Sequence, residues 1–480
     1  MTIVSMATKV SAEQQRNVLE VQFATLLERS SLNPYVAYKS RIKDLERFQR
    51  VLKTNYPFLV SALSEDYGHR SRTDSLITDI LPCFQMLRYT KRKLKRWMSP
   101  SKRSEGLLLM PARVQVHYQP LGVVGIVVPW NFPVTLSLIP LITAIAAGNC
   151  VMVKLSESTP HTNQSLKTLL QDVFPADQVC VVDGDITIAS AFCELPFDHL
   201  FFTGSTEVGK KVMKSASTNL TPVTLELGGK SPVIVAPDID PELAAERLLF
   251  GKNLNTGQIC VAPDHAFVPE DKLKAFIEAL RSQWQSIYPK GIQSDDRTSI
   301  INNHQYERLV SLLDDANKSG VTVISLGEPA TDIVTRKMAL HLVINPTLDS
   351  TLMKEEIFGP ILPIITYKDV HDVLHILQGH PRPLALYLMT FDNYFQQHVI
   401  HHTHSGSIAI NDSLVQVAVD DAPFGGIGAS GMGSYHGIEG FHTFSHAKTV
   451  FIRGKLNPRK LFNPPYGKWW QSLILELFLR

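Results

Sequence analysis

Cysteine is scarce in this chain of 480 residues. There are five, Cys83, Cys150, Cys180, Cys193 and Cys260, widely scattered and odd in number. No pair is spaced as CxxC or set beside histidine at zinc-ligand spacing, which argues against structural zinc and against a disulfide framework. No secretory leader is read at the amino terminus, so a reducing, cytoplasmic setting is expected, with most thiols simply buried. Also missing is any apolar run of the roughly 20 residues that a spanning helix requires. Charge of one sign is lacking too. The 47 Lys and Arg set against 45 Asp and Glu leave +2 at pH 7, and no general affinity for nucleic acid or a membrane surface is expected. The densest basic cluster, Lys91-Arg92-Lys93 with Lys95, Arg96, Lys102 and Arg103, reads as a solvated helix end rather than a phosphate site. There is no internal repeat and no low-complexity linker, so domains must pack closely.

What is present is apolar material: 44% of the residues are hydrophobic, enough for two or three domains with large cores. The first hundred residues read as helices, with apolar positions at helical spacing through Val18–Leu27, Ile42–Leu52 and Ile77–Trp97 and breaks at Pro57 and Pro82. From Val114 the texture changes to short β-rich runs: Val114–Tyr118, Gly122–Val128, Cys150–Val153, Val179–Val182, His199–Phe202 and Val233–Val235. Helical stretches Leu138–Ala147, Asn163–Val173 and Val208–Ser217 lie between them. This alternation predicts a parallel sheet covered on both faces. A second alternating set runs from Pro241 to about Ile410, with helices Pro241–Leu254 and Asp271–Ile287 and strands Val321–Ser325 and Ile361–Thr366. The glycine-rich stretch Pro423–Gly440 reads as loop.

Four short stretches carry chemistry. Pro129-Trp130-Asn131-Phe132-Pro133 follows an apolar strand, and Asn131 offers a neutral amide donor suited to a developing oxyanion; a structural turn is the plain alternative. Phe202-Thr203-Gly204-Ser205-Thr206-Glu207-Val208-Gly209 joins a strand to a helix, where small residues let backbone N–H groups approach a pyrophosphate. It is not GxGxxG, and an ordinary tight turn competes. In Leu225-Glu226-Leu227-Gly228-Gly229-Lys230, a carboxylate in apolar company has a raised pKa and suits a general base; an ion pair from Glu226 to Lys230 is the rival. In Asn255-Thr256-Gly257-Gln258-Ile259-Cys260, Gly257 permits a loop that aims a thiol into a cleft, though a lone cysteine is more often a small buried hydrophobe.

Asn131, Glu226 and Cys260, in this order and each in a distinctive hexamer, resemble the aldehyde dehydrogenase superfamily. Glu355-Glu356-Ile357-Phe358-Gly359-Pro360 agrees, as does Pro423-Phe424-Gly425-Gly426 with Ser430-Gly431, so the resemblance spans roughly residues 20 to 450. Cys260 followed by Val261-Ala262-Pro263-Asp264, and Gly431-Met432-Gly433-Ser434-Tyr435-His436-Gly437 before Phe444-Ser445-His446, look like the shorter class-3 branch. Asp66-Tyr67-Gly68-His69-Arg70-Ser71, Arg96-Trp97-Met98 and Tyr118-Gln119-Pro120-Leu121-Gly122 are similar to bacterial coniferyl aldehyde dehydrogenases.

That resemblance implies an α/β fold: a Rossmann-like dinucleotide-binding domain (1–100 and 121–228), an α/β catalytic domain (229–421) and small β segments joining subunits (101–120 and 436–452). It implies oxidation of an aldehyde to the acid through a cysteine thiohemiacetal and thioester. Cys260 is the nucleophile, Asn131 and the Cys260 N–H hold the oxyanion, and Glu226 activates water. Lys154 and Glu157 match positions near the adenosine ribose, and Gly204, Ser205 and Gly209 the pyrophosphate turn. Glu356 matches the nicotinamide ribose, Phe358 the nicotinamide end, and Trp130 and Leu227 join the cofactor set. The carboxylate of Glu157 favours NAD over NADP, but Leu155 stands where the family commonly has proline, which leaves that loop and the choice open. A homodimer is expected. The substrate stays open between an aromatic aldehyde, such as coniferyl aldehyde, and an aliphatic one. The presence of Glu226 argues against an acylating reductase, and that of both Cys260 and Glu226 against a binding protein on a dehydrogenase scaffold. The tail 453–480, with Trp470, Leu473, Ile474, Leu477 and Phe478 at helical spacing, is expected to pack or cover the substrate entrance. Its contact with membrane is at most peripheral.

Overall fold

The computed structural model describes residues 12–479. Residues 1–11 of the expected amino-terminal segment, and Arg480 of the tail, lie outside them. Three sheets, beside a two-stranded pair of Thr331–Asp332 with Lys337–Met338, organise the described residues. The first has six strands in the order Gly431–Met432, Val223–Leu227, His199–Gly204, Val123–Val127, Cys150–Lys154, Val179–Val182. All pairs are parallel except the edge pair of Gly431–Met432 with Val223–Leu227. Strand alternation decides which core each side chain joins. Val124 and Ile126 face one core with the helices Tyr38–Tyr67, Leu81–Trp97 and Thr135–Ala147. Val123 faces the other, with Leu19, Phe23, Phe192 and Val212. Both faces being covered explains the near-continuous apolar strands.

The second sheet has seven strands in the order Thr322–Ser325, His341–Ile344, Ile361–Tyr367, His265–Pro269, Pro232–Val235, Ala385–Met389, Ser407–Ile410. Only the edge strand Thr322–Ser325 runs antiparallel to its neighbour. The third sheet is antiparallel. Ala112–Pro120 lies between Ser101–Arg103 and Ser445–Arg453, in register from Pro120 opposite Ser445 to Ala112 opposite Arg453.

Two expectations about breaks are corrected. Pro57 does not end a helix; it sits inside Tyr38–Tyr67. Pro57 and Lys53, four residues before it, are both exposed, so the hydrogen bond that proline forfeits lies on the solvent side. The buried stripe of Leu45, Phe48, Leu52, Leu59 and Leu63 carries the helix past it. The run expected as one helix from Ile77 is split into a π turn, Leu76–Ile80, and the helix Leu81–Trp97, with Pro82 in its first turn, where a missing N–H costs nothing. The stretch expected as loop, Pro423–Gly440, contains the edge strand Gly431–Met432 and opens the helix Gly437–Thr443.

Among the described residues no helix is long and apolar enough to cross a membrane. The tail helix Trp469–Leu479 is tethered through Gln471, whose amide donates to Leu461 O at 3.0 Å and Asn463 O at 3.3 Å, while Trp469, Leu473 and Leu477 stay exposed.

Candidate active site

The carboxyl ends of the parallel strands in the six-stranded sheet face one crevice, the usual place for ligands in such sheets. Asn131 follows Val123–Val127, Lys154 closes Cys150–Lys154, Gly204 closes His199–Gly204, and Glu226 is the penultimate residue of Val223–Leu227.

Cys260 arrives from elsewhere. The helix Pro241–Asn253, capped by Asp240, ends in a turn where Asn255, Thr256 and Gly257 take φ of 47°, 56° and 77°. Two of these are not glycine, and each left-handed residue of that kind is disfavoured by roughly 1–2 kcal/mol. Tertiary bonds hold them. Asp74 accepts from Asn255 N at 3.1 Å, Thr256 Oγ1 donates to Thr298 O at 2.6 Å, and the Gln258 amide donates to Asn255 O and Ser299 O at 2.9 and 3.1 Å. A Cβ on Gly257 would lie 2.6 Å from Gly359 O, so only glycine fits. The result is a thiol that is only partly buried, whereas Cys83, Cys150, Cys180 and Cys193 are buried.

Asn131 is 3% exposed, and its side-chain amide donates to Gln258 O at 3.2 Å. An amide has two N–H groups, so one ties the loop to the nucleophile's own turn and the other remains for a ligand oxygen. Asn255 Nδ2 also donates to Gln258 O, at 3.2 Å, and to Asn131 O, at 3.3 Å. The two loops are therefore cross-linked beside Cys260.

Glu226 is buried, with neither carboxyl oxygen partnered, and burial alone raises its pKa well above the ordinary value. The rival ion pair to Lys230 is not formed. Lys230 pairs instead with Asp264 and donates to Leu352 O and Glu355 O, both at 2.9 Å. Burial, then the Glu356 and Glu226 carboxylates, push the Cys260 thiol up to about 12. In this state the sulfur keeps its proton at neutral pH, and the thiolate is the minor form.

The groups expected around a dinucleotide divide into two sets. Ser205 caps the helix Thr206–Ser217, and a Cβ on Gly209 would lie 2.6 Å from Leu227 Cδ2, so this helix seats tightly on the strand that carries Glu226. A cavity of about 720 Å³ joins the first turn of that helix, Thr206 and Glu207, to the Gly228-Gly229 pair and Glu356. A Cβ on Gly228 would collide with the Glu356 carboxylate, whose pKa burial and Asp264 raise to about 8. Phe358, at φ 49°, sets its ring edge-on to Trp130 at 5.3 Å. A helix N-terminus, a glycine-lined wall and the Glu356 carboxyl in one cavity fit a dinucleotide. Lys154 and Glu157 are not part of that wall. Lys154 is buried, donates to Leu155 O at 2.6 Å and has its pKa lowered by burial, with Glu157 opposing; Glu157 itself is exposed. Leu155, in place of the expected proline, donates its N–H to Val182 O at 3.1 Å, so a strand-like hydrogen bond fixes this loop where a ring would have.

Several supporting residues were not singled out from sequence as site residues: Tyr67, Arg70, Asp79, Asn255 and Gln258. Their partners lie far along the chain, and the only signals were the Asp66–Ser71 stretch and the hexamer ending in Cys260.

A model of the aldehyde dehydrogenase family matches residues 34–450. The chain is 46% identical to a probable coniferyl aldehyde dehydrogenase of Pseudomonas aeruginosa over 98% of each protein. It is 39% identical to a coniferyl aldehyde dehydrogenase of a Pseudomonas species, over 98% of this chain and 97% of that one. Among solved structures, AldH of Staphylococcus aureus in its substrate-bound state superposes with a TM-score of 0.92 at 36% identity, covering 96% of this chain and 99% of the other.

Proposed function

Because the chain belongs to the aldehyde dehydrogenase family and oxidises aldehydes with a nicotinamide dinucleotide, we propose that Cys260, Asn131 and Glu226 carry that reaction. The observations that support this most are that the amide of Asn131 is bonded two residues from Cys260 and that the Glu226 carboxylate lies near enough to raise the thiol's pKa.

Cys260 reacts as its thiolate, the proton passing to solvent, and the sulfur adds to the aldehyde carbon. The free N–H of Asn131 and the Cys260 backbone N–H stabilise the oxyanion of this adduct; losing one such donor lowers the rate by roughly 10² to 10³. A bound dinucleotide supplies the two-electron acceptor that turns the adduct into a thioester. In its ionised form Glu226 then removes a proton from the attacking water, the carbon–sulfur bond breaks, and the acid leaves with Cys260 restored. The base contributes roughly 10² to 10⁴. Gly204, Ser205, Gly209 and Leu227 would hold the pyrophosphate side, Glu356 the nicotinamide ribose, Phe358 and Trp130 the ring, and Lys154 and Glu157 the adenosine ribose.

The preferred substrate is an aromatic aldehyde such as coniferyl aldehyde, after the names of the relatives, with hydrophobic aliphatic aldehydes next. NAD is preferred to NADP, because the Glu157 carboxylate repels a 2′-phosphate. The segments 1–100 and 121–228 form the dinucleotide domain, 229–421 the catalytic domain, and the three-stranded sheet of 101–120 and 436–452 joins a homodimer. A free nucleophilic thiol suits a reducing cytoplasm.

A panel of aromatic, short and long aliphatic aldehydes, each assayed by kcat/KM with NAD and NADP, tests the substrate and cofactor assignment. Equal values across the panel would refute the aromatic preference. Cys260→Ala should end turnover and keep dinucleotide binding; retained turnover would remove the thiol from the mechanism.

A further inference from the structure

The carbonyl oxygen of Asn131 receives three donors: Tyr67 Oη at 3.0 Å, Arg70 Nη1 at 3.2 Å and Asn255 Nδ2 at 3.3 Å. A carbonyl has two lone pairs, so more donors converge than satisfying the oxygen requires. Arg70 is the charged one among them. Its guanidinium pairs with Asp79 at 2.8 Å, both side chains fully buried, and lies over the rings of Tyr67 and Phe132 at 5.0 and 5.1 Å. Nη2 also donates to Thr78 Oγ1 at 3.2 Å. The other oxygen of Asp79 accepts from the backbone N–H groups of Val134 and Thr135 at 3.1 and 2.9 Å. One ion pair thus grips the Pro129–Pro133 loop on both sides of its functional amide, at the Asn131 carbonyl and at the start of the next helix. Burying two charges is a poor way to gain stability, since apolar replacements are often as stable or more so. The directions of these bonds point to a job in geometry.

We propose that Arg70 is a positioning residue for the oxyanion: balanced by Asp79, it fixes the Asn131 backbone so that the free amide N–H meets the oxygen of the aldehyde attacked by Cys260. This rests on the reading of Asn131 as the oxyanion donor. Lysine cannot replace it, because a point charge on a flexible stem cannot serve Asn131 O, Asp79 and Thr78 Oγ1 at once, as a planar fork does.

The test is a double-mutant cycle of Arg70→Lys with Asn131→Ala, read by kcat, by dinucleotide affinity and by the rate at which iodoacetamide alkylates Cys260. Arg70→Lys keeps the buried charge and should lower kcat about 10²-fold, the cost of an ångström's misplacement, with alkylation rate and dinucleotide affinity unchanged. Asn131→Ala should lower kcat roughly 10²- to 10³-fold. The double variant should be no slower than Asn131→Ala, since Arg70 then has no amide to aim. A double variant slower by the full factor of Arg70→Lys would place the action of Arg70 elsewhere and overturn the proposal, as would wild-type kcat in Arg70→Lys. Wild-type kcat in Asn131→Ala would instead overturn the underlying reading of Asn131. Should Arg70→Lys not fold, Asp79→Asn enters the same cycle, with the same two outcomes deciding.

Discussion

Replacing Glu226 by glutamine tests the burial argument and the chemistry in one protein. In the folded chain this carboxyl is 4% exposed, unpartnered, and has a pKa well above its ordinary 4.5. Above about pH 4.5 the unfolded chain has lost the proton while the native chain still holds it. Native protein binds more protons there, so rising pH favours unfolding, with a slope of about 1.4 kcal/mol per pH unit from this group. Glutamine has no proton to lose. Relative to wild type, Glu226→Gln should therefore gain about 1.4 kcal/mol for each pH unit above about 5, until the native carboxyl ionises. Other raised groups, Glu356 among them, cancel in the difference. Guanidinium unfolding of both proteins from about pH 4 to 8 measures it. A stability difference that stays constant over that range would mean the native carboxyl is ionised, and the reasoning would fail. In the same variant the first turnover should release one equivalent of reduced dinucleotide and then stall at the acyl-enzyme. Steady turnover should fall roughly 10²- to 10⁴-fold, and undiminished turnover would mean that another base acts.

Three further outcomes are expected. Leu155→Pro removes the N–H that reaches Val182 O between two buried residues and should cost about 1–3 kcal/mol in denaturant unfolding; unchanged stability would show that the loop does not depend on that bond. Gly257→Ala places a Cβ 2.6 Å from Gly359 O at a φ of +77°, so kcat should drop about 10²-fold as the thiol is re-aimed, and wild-type kcat would refute the loop's aiming role. In the dinucleotide-free protein, iodoacetamide should label Cys260 ahead of the four buried cysteines. Its rate should climb about tenfold per pH unit from pH 7 to 9, because only thiolate reacts and this thiol is pushed up to about 12; a plateau in peptide-mass labelling near neutral pH would contradict that.

Much of the fold was legible because burial on both faces leaves a simple imprint. Strands such as Val123–Val127 and Cys150–Lys154 are short apolar runs between helical periods, the imprint of a strand buried on both faces. What misled was local: proline was read as a stop at Pro57, although its position relative to the buried stripe, not its presence, decides whether a helix survives. The split at Leu76–Ile80 left no imprint either, since a π turn uses the same residue types as the helix it interrupts. Asn131, Glu226 and Cys260 stood out through their neighbours, two prolines, a glycine pair and a glycine three residues before the sulfur. Arg70 and Asp79 did not, because a buried ion pair and two helix-surface residues look alike until the fold brings one to Asn131 O and the other to Val134 N.

The division of the site between two sheets explains why so much support surrounds it. Asn131, Gly204 and Glu226 need only the ends of adjacent parallel strands, which the six-stranded sheet supplies by topology. Cys260 belongs to the turn between the helix Pro241–Asn253 and the strand His265–Pro269 of the other sheet, so nothing within the first sheet fixes its distance to the amide or the carboxyl. That distance is set where the units meet, by Asn255 and Asn131 sharing Gln258 O, and by Asp74 and Thr298 bracing the strained turn from the helical layer and the catalytic layer. Strain in Asn255 and Thr256 is tolerated because these bonds cross between layers. A thiol carried on an unstrained helix end would lack the turn that brings it to the crevice.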